Sequence, residues 1–493
     1  MNPTLQLQKS IRGDLSWDDE ILDFYSVDSS LYQVRPKLVV FPKNTADITK
    51  ILRFAKKQKI SVTPRGGATG LVGSALNDGI IVDMKNFDKI KVSGNFVHVG
   101  SGVRKGQLDK ILKKHGKFLG PNPSVGPYCT IGGMIATNAS GSRSLKYGSM
   151  IDNLLEVTII TGAGKIVTLP SRTKLANSVV KIVKSVDVSK FPHVSKNSCG
   201  YRLDAVSANA TQKIIAASEG TLGIVVSAKL RVFETPPRRA LLILGFDSII
   251  KATAECASLS KLGPSALELV DKNTMKNFEG KFPKKINCLL FLELDSDIRA
   301  KTAKIKKISA GKLLYATNST KSIERWWALR NSALHFSLKS LLAGQILPHV
   351  IEDAAVPVER LPDLLKAAQN LGKSFGAKLV MYGHAGNGNI HIRVAMPKND
   401  KNLVNKMAKA FFSQVISLDG TITGEHGDGI ARTEFVRMQY DPKTYCKFKK
   451  LKRQFDPDLV LNPNKIVYDK KPKNPAKILP ICSKMLGCLV SPS

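Results

Sequence analysis

The sequence predicts an α+β protein built from more than one core. Three observations carry this. At 493 residues the chain is long enough for about three domains, or two large ones. A β–α–β unit near the start gives way to short strands and glycine-rich turns rather than to a regular βα repeat. Pro236-Pro237-Arg238-Arg239 then punctuates the chain, and a second set of strands and helices alternates beyond it.

The first set starts with a polar lead-in, residues 1–35, carrying weak helix signals. Leu38–Phe41 reads as a strand closed by Pro42. Thr45 reads as an N-cap, with Ile48, Ile51, Leu52 and Ala55 following at helical spacing. Ile60–Thr63, Gly79–Asp83 and Phe96–Gly100 read as strands, and Gln107–His115 as a helix stopped by Gly116. Leu155–Thr161 and Lys165–Leu169 flank a Gly162-Ala163-Gly164 turn as a hairpin, and Ile224–Val232 is a further strand. In the second set, Leu241–Gly245, Leu267–Val270, Leu289–Leu294, Val350–Val356, Lys378–Tyr382 and Ile390–Val394 read as strands. Ile249–Leu262, Ser322–Leu342, Val358–Leu371, Lys401–Ile416 and Arg437–Phe455 read as helices. The expected layout is a lead-in (1–35), a first domain (36–235), a second domain (236–466) and a basic, flexible tail (467–493).

Composition narrows the function classes. With 43% hydrophobic and 23% charged residues, disordered and collagen-like chains are excluded. Seven cysteines (Cys129, Cys199, Cys256, Cys288, Cys446, Cys482, Cys488) form no CxxC pair. That argues against a disulfide scaffold, a zinc finger or a cysteine-ligated cluster. The polar start lacks an apolar signal core. The longest apolar runs, Ala240–Phe246 and residues 478–490, fall short of the ~18–20 residues of a membrane span. The expected location is cytoplasmic. A formal charge of +36 leaves room for peripheral contact with an anionic membrane or an acidic partner, and for nonspecific nucleic-acid binding.

Three segments carry chemistry. Pro64–Gly73 is rich in glycine and small residues, so successive backbone N–H groups can turn into one anion-binding concavity. It matches neither GxGxxG nor the P-loop spacing, which disfavours a nicotinamide site or an NTPase. Thr130–Gly141 and Ser218–Val225 are similarly poor in bulky side chains. Together they suit a long, flat ligand held mostly by main chain.

In order and spacing, PRGGATGLVG, CTIGGMIATNASG, KNSCGYRLDAV and SEGTLGIVV resemble the FAD-binding domain of the vanillyl-alcohol-oxidase/PCMH flavoproteins. The later motifs are Trp327–Arg330, Glu352–Arg360, GHAGNGNIH (383–391), Gly424-Glu425-His426-Gly427 and the stretch from Phe455 to Pro463. They resemble the FAD-linked D-2-hydroxyacid dehydrogenases, which include glycolate oxidase, D-lactate dehydrogenase and D-2-hydroxyglutarate dehydrogenase. The likeness spans roughly residues 25–466. It implies a PCMH-type FAD domain of two α+β subdomains, a ferredoxin-like α+β substrate domain over the flavin, and a C-terminal return to FAD at Asn462. It places Arg65, Gly66, Gly67, Ala68, Thr69 and Gly70 at the pyrophosphate. Pro123, Ser124, Thr130, Gly133, Ala136, Asn138 and Gly141 are placed along the flavin and ribityl chain, and Glu219, Ile224 and Val225 against the cofactor. No histidine lies in the first loop, so FAD is expected to be non-covalent; Cys129 does not match the spacing of cysteinyl-flavin relatives.

If the strands around 378–382 and 390–394 are neighbours, His384 and His391 converge, and Glu425 can complete a His₂Glu site with an open position. Such a set holds Zn²⁺ and also accepts Mn²⁺ or Fe²⁺. The cation would acidify a substrate 2-hydroxyl, and His426 is the candidate base. Arg330 is either a bidentate clamp for the substrate carboxylate or an ion-pair partner. Glu352 and Asp353 stay unassigned, and His349 is read as a strand-end histidine. Relatives commonly carry Asp at the position of Asn387. The implied partners are a small 2-hydroxyacid and a separate electron acceptor: a quinone, a cytochrome, an electron-transfer flavoprotein or an iron–sulfur subunit. No specific nucleic acid is expected. The alternative reading is a transferase like alkylglycerone-phosphate synthase, which uses this architecture without net redox chemistry.

Overall fold

In a computed structural model of the chain, the structure describes residues 3–276, 278, 282–333, 335, 347–396, 400–468 and 476–478. Three main sheets organise them. The first has four strands in the order Asp14–Ser16, Leu38–Phe41, Ile80–Asp83, Val62–Arg65. Its last three strands are parallel, and the helix Thr45–Gln58 makes the crossover. The N-cap of that helix is Asn44, not Thr45: the Asn44 side chain accepts from Asp47 N at 2.9 Å. The lead-in supplies the outer strand, 14–16, so it is folded onto this sheet.

The second sheet is antiparallel, in the order Ile166–Leu169, Leu154–Ile160, Ile224–Arg231, Phe96–Gly100, Ile90–Ser93. Between strands 96–100 and 154–160, the glycine-rich stretch hides a short helix, Ile131–Thr137. Thr130 caps its start, and Asn138 ends it in the left-handed conformation.

The third sheet has six antiparallel strands: Lys312–Thr317, Ala240–Phe246, Cys288–Leu294, Ala266–Asp271, Lys378–His384, Asn389–Ala395. Its central strands are buried throughout, because both faces are covered. Leu242, Leu244, Leu290 and Leu292 share a core with helices Ile249–Ser260 and Leu361–Ser374. Leu241, Ile243, Leu289 and Phe291 pack with Trp326 and Trp327 of the helix Thr320–Asn331. Continuous apolar runs therefore replace the alternation expected of a one-sided sheet.

Two expected elements differ. Residues 350–356 form no strand; Ala355 makes only isolated bridges to Asn389 and Thr421, while Glu352 and Asp353 turn inward to buried polar partners. The expected helix 437–455 is broken into Val436–Gln439 and Pro442–Phe455. Pro442 lacks an N–H and pushes Asp441 to extended backbone, from where its carboxylate caps the second helix. Of the expected helix 322–342, residues 334 and 336–342 lie outside the described residues. So does the tail beyond 468 except 476–478, where Lys477–Ile478 pairs with Tyr32–Gln33. No described helix is long and apolar enough to cross a membrane. Cys129, Cys199, Cys256, Cys288 and Cys446 are free thiols, and Cys482 and Cys488 lie outside the described residues.

Candidate active site

One cavity runs between the glycine-rich loops and the edge of the six-stranded sheet. Arg65, Gly66, Gly67, Ala68, Thr69 and Gly70 line it, as do Pro123, Ser124, Thr130, Gly133, Ala136, Gly141, Glu219 and Val225. Missing side chains make this wall. A Cβ on Gly66 would fall 2.0 Å from Thr130 Oγ1, and one on Gly67 would fall 2.5 Å from the Tyr128 carbonyl oxygen. Gly141, at φ +116°, would meet the Asn122 carbonyl oxygen at 2.1 Å. Gly70 has open space beside it. Such a main-chain cradle fits a long ligand such as a dinucleotide. Cys129 also lines the cavity, and burial pushes its thiol up to about 11, so it stays protonated.

Three expected cofactor residues stand behind this wall. Asn138 ties Asn197 O to Ile151 N through its side chain. Ile224 belongs to the core under the four-stranded sheet. Asn462 donates to Ser74 O at 2.9 Å and Glu219 O at 2.6 Å, and accepts from Thr63 Oγ1. Arg65 lines the cavity, yet its guanidinium donates to the Tyr25 and Val27 carbonyls, at 3.1 and 2.8 Å. Glu219 likewise spends its carboxylate on the N–H groups of Asp428 and Gly429 and on Ser74. It joins the first loop to the segment after Glu425-His426.

The opposite wall holds the histidines. Strands 378–384 and 389–395 form a hairpin in which Tyr382 faces His391 and His384 faces Asn389. His384 and His391 therefore project to one side of the sheet, with ring centroids 5.2 Å apart. His391 stacks on His426 at 5.0 Å. Glu425 Oε1 lies 2.9 Å from His384 Nε2, 3.3 Å from His391 Nε2 and 3.6 Å from His426 Nε2. Glu425 Oε2 accepts from Lys196 Nζ at 2.9 Å, from Gly141 N at 3.2 Å and from Ser140 Oγ.

One carboxylate oxygen thus faces three imidazole nitrogens. That donor set fits a divalent cation better than it fits hydrogen bonds alone, since one oxygen is shared among three nitrogens. The compact group of possible metal donors is Asp353, His391, Glu425 and His426, without His384, but Asp353 Oδ2 accepts from the backbone N–H of Glu425 and His426 at 2.9 and 2.7 Å. It braces the turn that carries them. The protonation states of His391 and Glu425 suit cation binding. Burial keeps His391 neutral by lowering it to about 4, against the pull of Glu425. Burial opposes ionisation of Glu425, but Lys196 and His384 outweigh it and hold that carboxyl well below its usual range. For His426, burial favours the neutral ring, but Asp353 and Glu352 overcome this and raise it to about 8.

Two further buried glutamates organise the rings. Glu268 accepts from His384 Nδ1 at 2.6 Å and pairs with Arg330. Glu352 accepts from His426 Nδ1 at 2.7 Å and from Arg432 at 2.6 Å, with Arg393 at 3.2 Å. Arg330, Tyr382 and Arg393 line the cavity. Arg330 is an ion-pair partner, and its buried Nε has no hydrogen-bond partner. His349 approaches the Leu71 carbonyl oxygen at 3.1 Å instead of lining the cavity. Asn387 sits between Ser195 and Ser144. Sequence reasoning assigned no part to Lys196, Glu268, Glu352, Asp353 or Arg393. Lys196 lay inside a quoted motif, but nothing local marks a lysine as buried.

The comparisons with known proteins decide the family. Residues 36–170 match the FAD-binding domain family, and residues 235–466 match the C-terminal domain of the FAD-linked oxidases. The chain belongs to the FAD-linked oxidase family. Its relatives include the D-2-hydroxyglutarate dehydrogenase of Pseudomonas putida, 28% identical over 92% of this chain and 50% of the relative. The D-lactate dehydrogenase of Archaeoglobus fulgidus is 28% identical over 92% and 99%. Glycolate oxidase subunit GlcD of Escherichia coli K12 is 28% identical over 92% and 87%. This family member therefore spans about half the length of the D-2-hydroxyglutarate dehydrogenases it matches and nearly all of the D-lactate dehydrogenase. A solved alkyldihydroxyacetonephosphate synthase shares the fold, with a TM-score of 0.69 at 19% identity over 94% of this chain and 86% of its own. The α+β, FAD-binding architecture expected from the sequence is the one found.

Proposed function

We propose that the protein oxidises a D-2-hydroxyacid to the 2-oxoacid, using FAD and a divalent metal ion, and passes the electrons to a separate acceptor. The carrying observation is the convergence of three imidazoles on Glu425 Oε1, directly across the cavity from a main-chain cradle. When bound, FAD supplies a two-electron acceptor, and a divalent ion such as Zn²⁺, Mn²⁺ or Fe²⁺ supplies a charge that acidifies the 2-hydroxyl. His384, His391 and Glu425 would hold the ion. Lys196 and Ser140 keep Glu425 in place. In its neutral form, His426 takes the hydroxyl proton at Nε2, while Glu352 holds its Nδ1–H and so fixes which nitrogen is the base. Arg330, which lines the cavity, would pair with the substrate carboxylate while Glu268 steadies one end of the guanidinium. FAD is held without a covalent link, since the first loop has no histidine and Cys129 is a protonated, buried thiol.

The substrates that fit are small: glycolate, D-lactate or D-2-hydroxyglutarate, as the names of the relatives suggest. The acceptor is a quinone, cytochrome, electron-transfer flavoprotein or iron–sulfur subunit, and a charge of +36 suits an acidic carrier or an anionic membrane surface. Anaerobic mixing of the yellow holoprotein with a panel of D- and L-2-hydroxyacids tests the reading. Loss of flavin absorbance with a D-acid is expected. No bleaching by any member of the panel overturns it and favours a transferase without net redox chemistry.

A further inference from the structure

The geometry points to Glu268 as a positioning residue that ties the carboxylate clamp to the metal site. The inference rests on the reading given under Proposed function. Glu268 sits on strand 266–271, one register step beyond the Leu269–Gly383 pair, which sets it opposite His384. Both side chains are shut off from solvent. One oxygen, Oε1, accepts from His384 Nδ1 at 2.6 Å. The other, Oε2, pairs with Arg330 Nη2. A single carboxylate thus touches one proposed metal ligand and one proposed substrate anchor, and it is not part of the cavity wall itself.

The physical consequence concerns tautomers. An ionised carboxylate can only accept, so the proton of the imidazole sits on Nδ1. Nε2, held toward Glu425, is then the nitrogen that would give its lone pair to a cation placed between the two. A glutamine at 268 could offer N–H to Nδ1, which would move the ring proton to Nε2 and spoil the ligand. The same change leaves Arg330, which lines the cavity, without its countercharge, so the guanidinium loses the hold that fixes it there.

The test uses the full-length flavoprotein, stripped of metal by a chelator and titrated with Zn²⁺ against a fluorescent zinc indicator. E268Q is expected to keep its flavin spectrum while its zinc dissociation constant rises about 10–100-fold, the usual size for such an outer partner. KM for a hydroxyacid that bleaches the flavin is expected to rise together with it. If E268Q does not accumulate as a folded flavoprotein, E268D carries the same expectation, because it keeps the charge but withdraws the oxygens by one methylene. A zinc affinity within twofold of the parent, with unchanged KM, overturns the inference. H384A separates the two levels. If H384A loses zinc while E268Q does not, the metal reading stands and the role of Glu268 falls. If H384A also keeps full zinc affinity, the metal reading itself falls, and the coupling through Glu268 falls with it.

Discussion

Lys196 Nζ lies 2.9 Å from Glu425 Oε2, and both groups are buried. The lysine comes from the motif between the two FAD-side glycine stretches, and the glutamate comes from a segment more than two hundred residues later. Burial alone would drive this lysine toward its neutral form, and Glu425 is what opposes that. The pair therefore sets the charge of the candidate metal site as well as the docking of the two halves of the chain.

Lys196→Met should destabilise the metal-free protein by about 3 kcal/mol, because removing one partner of a buried pair leaves the other uncompensated. Thermal unfolding of the stripped protein checks this. A loss under about 1 kcal/mol would mean that Ser140, Gly141 and the histidines suffice for Glu425.

The cradle makes a prediction about colour. Gly67→Ala and Gly141→Ala place a methyl group against backbone carbonyl oxygens at 2.5 and 2.1 Å. Each variant should purify with much less flavin than the parent, read from the visible absorbance relative to protein. Full flavin content in both would show that the loops can part without losing the cofactor.

Flavin release offers a separate check. Acid precipitation should leave all of the flavin in the supernatant, and Cys129→Ser should bind it as well as the parent does, since the thiol is protonated at neutral pH. Yellow pellet material would contradict a non-covalent site.

A pH effect follows from Lys465. It is buried, with Nζ 3.4 Å from the Leu76 carbonyl oxygen. Burial lowers it to about 8, against the pull of Glu219, Asp28 and Asp78. Its unfolded value is near 10.5, so the unfolded chain binds the extra proton between these two values. This residue's contribution to stability therefore rises with pH from about 8 to about 10.5, by about 3 kcal/mol in total. The stability difference between parent and Lys465→Met, measured by urea unfolding at pH 7 and pH 10, should shift in the parent's favour at the higher pH. A difference that stays constant would show that Lys465 titrates normally.

Asn387→Asp restores the residue common among the resembled family. Here Asn387 donates to Ser195 Oγ at 2.9 Å, while Ser195 donates to the Asn387 carbonyl oxygen. A carboxylate at this place would lose the donated bond and sit buried, at a cost of about 1–3 kcal/mol. Denaturant unfolding reads it directly. An unchanged midpoint would mean that Ser195 turns its proton to the new oxygen.

Local sequence determined a good deal by itself. Apolar periodicity and turn residues placed strands 38–41, 96–100 and 224–231 within a residue or so, because such signals depend only on neighbours along the chain. The glycine segments could be read as a cradle, since a missing Cβ is a property of the residue itself. His384 and His391 could be expected to meet because a tight hairpin joins them. Tertiary structure decided the rest. It sent Asn138, Ile224 and Asn462 behind the cavity wall and turned Arg65 toward the lead-in. It also brought Lys196, Glu268, Glu352 and Asp353 to the histidines. Those four are charged residues in ordinary local contexts. Burial beside an opposite charge gives them their roles, and that neighbour is supplied by a strand or loop tens to hundreds of residues away.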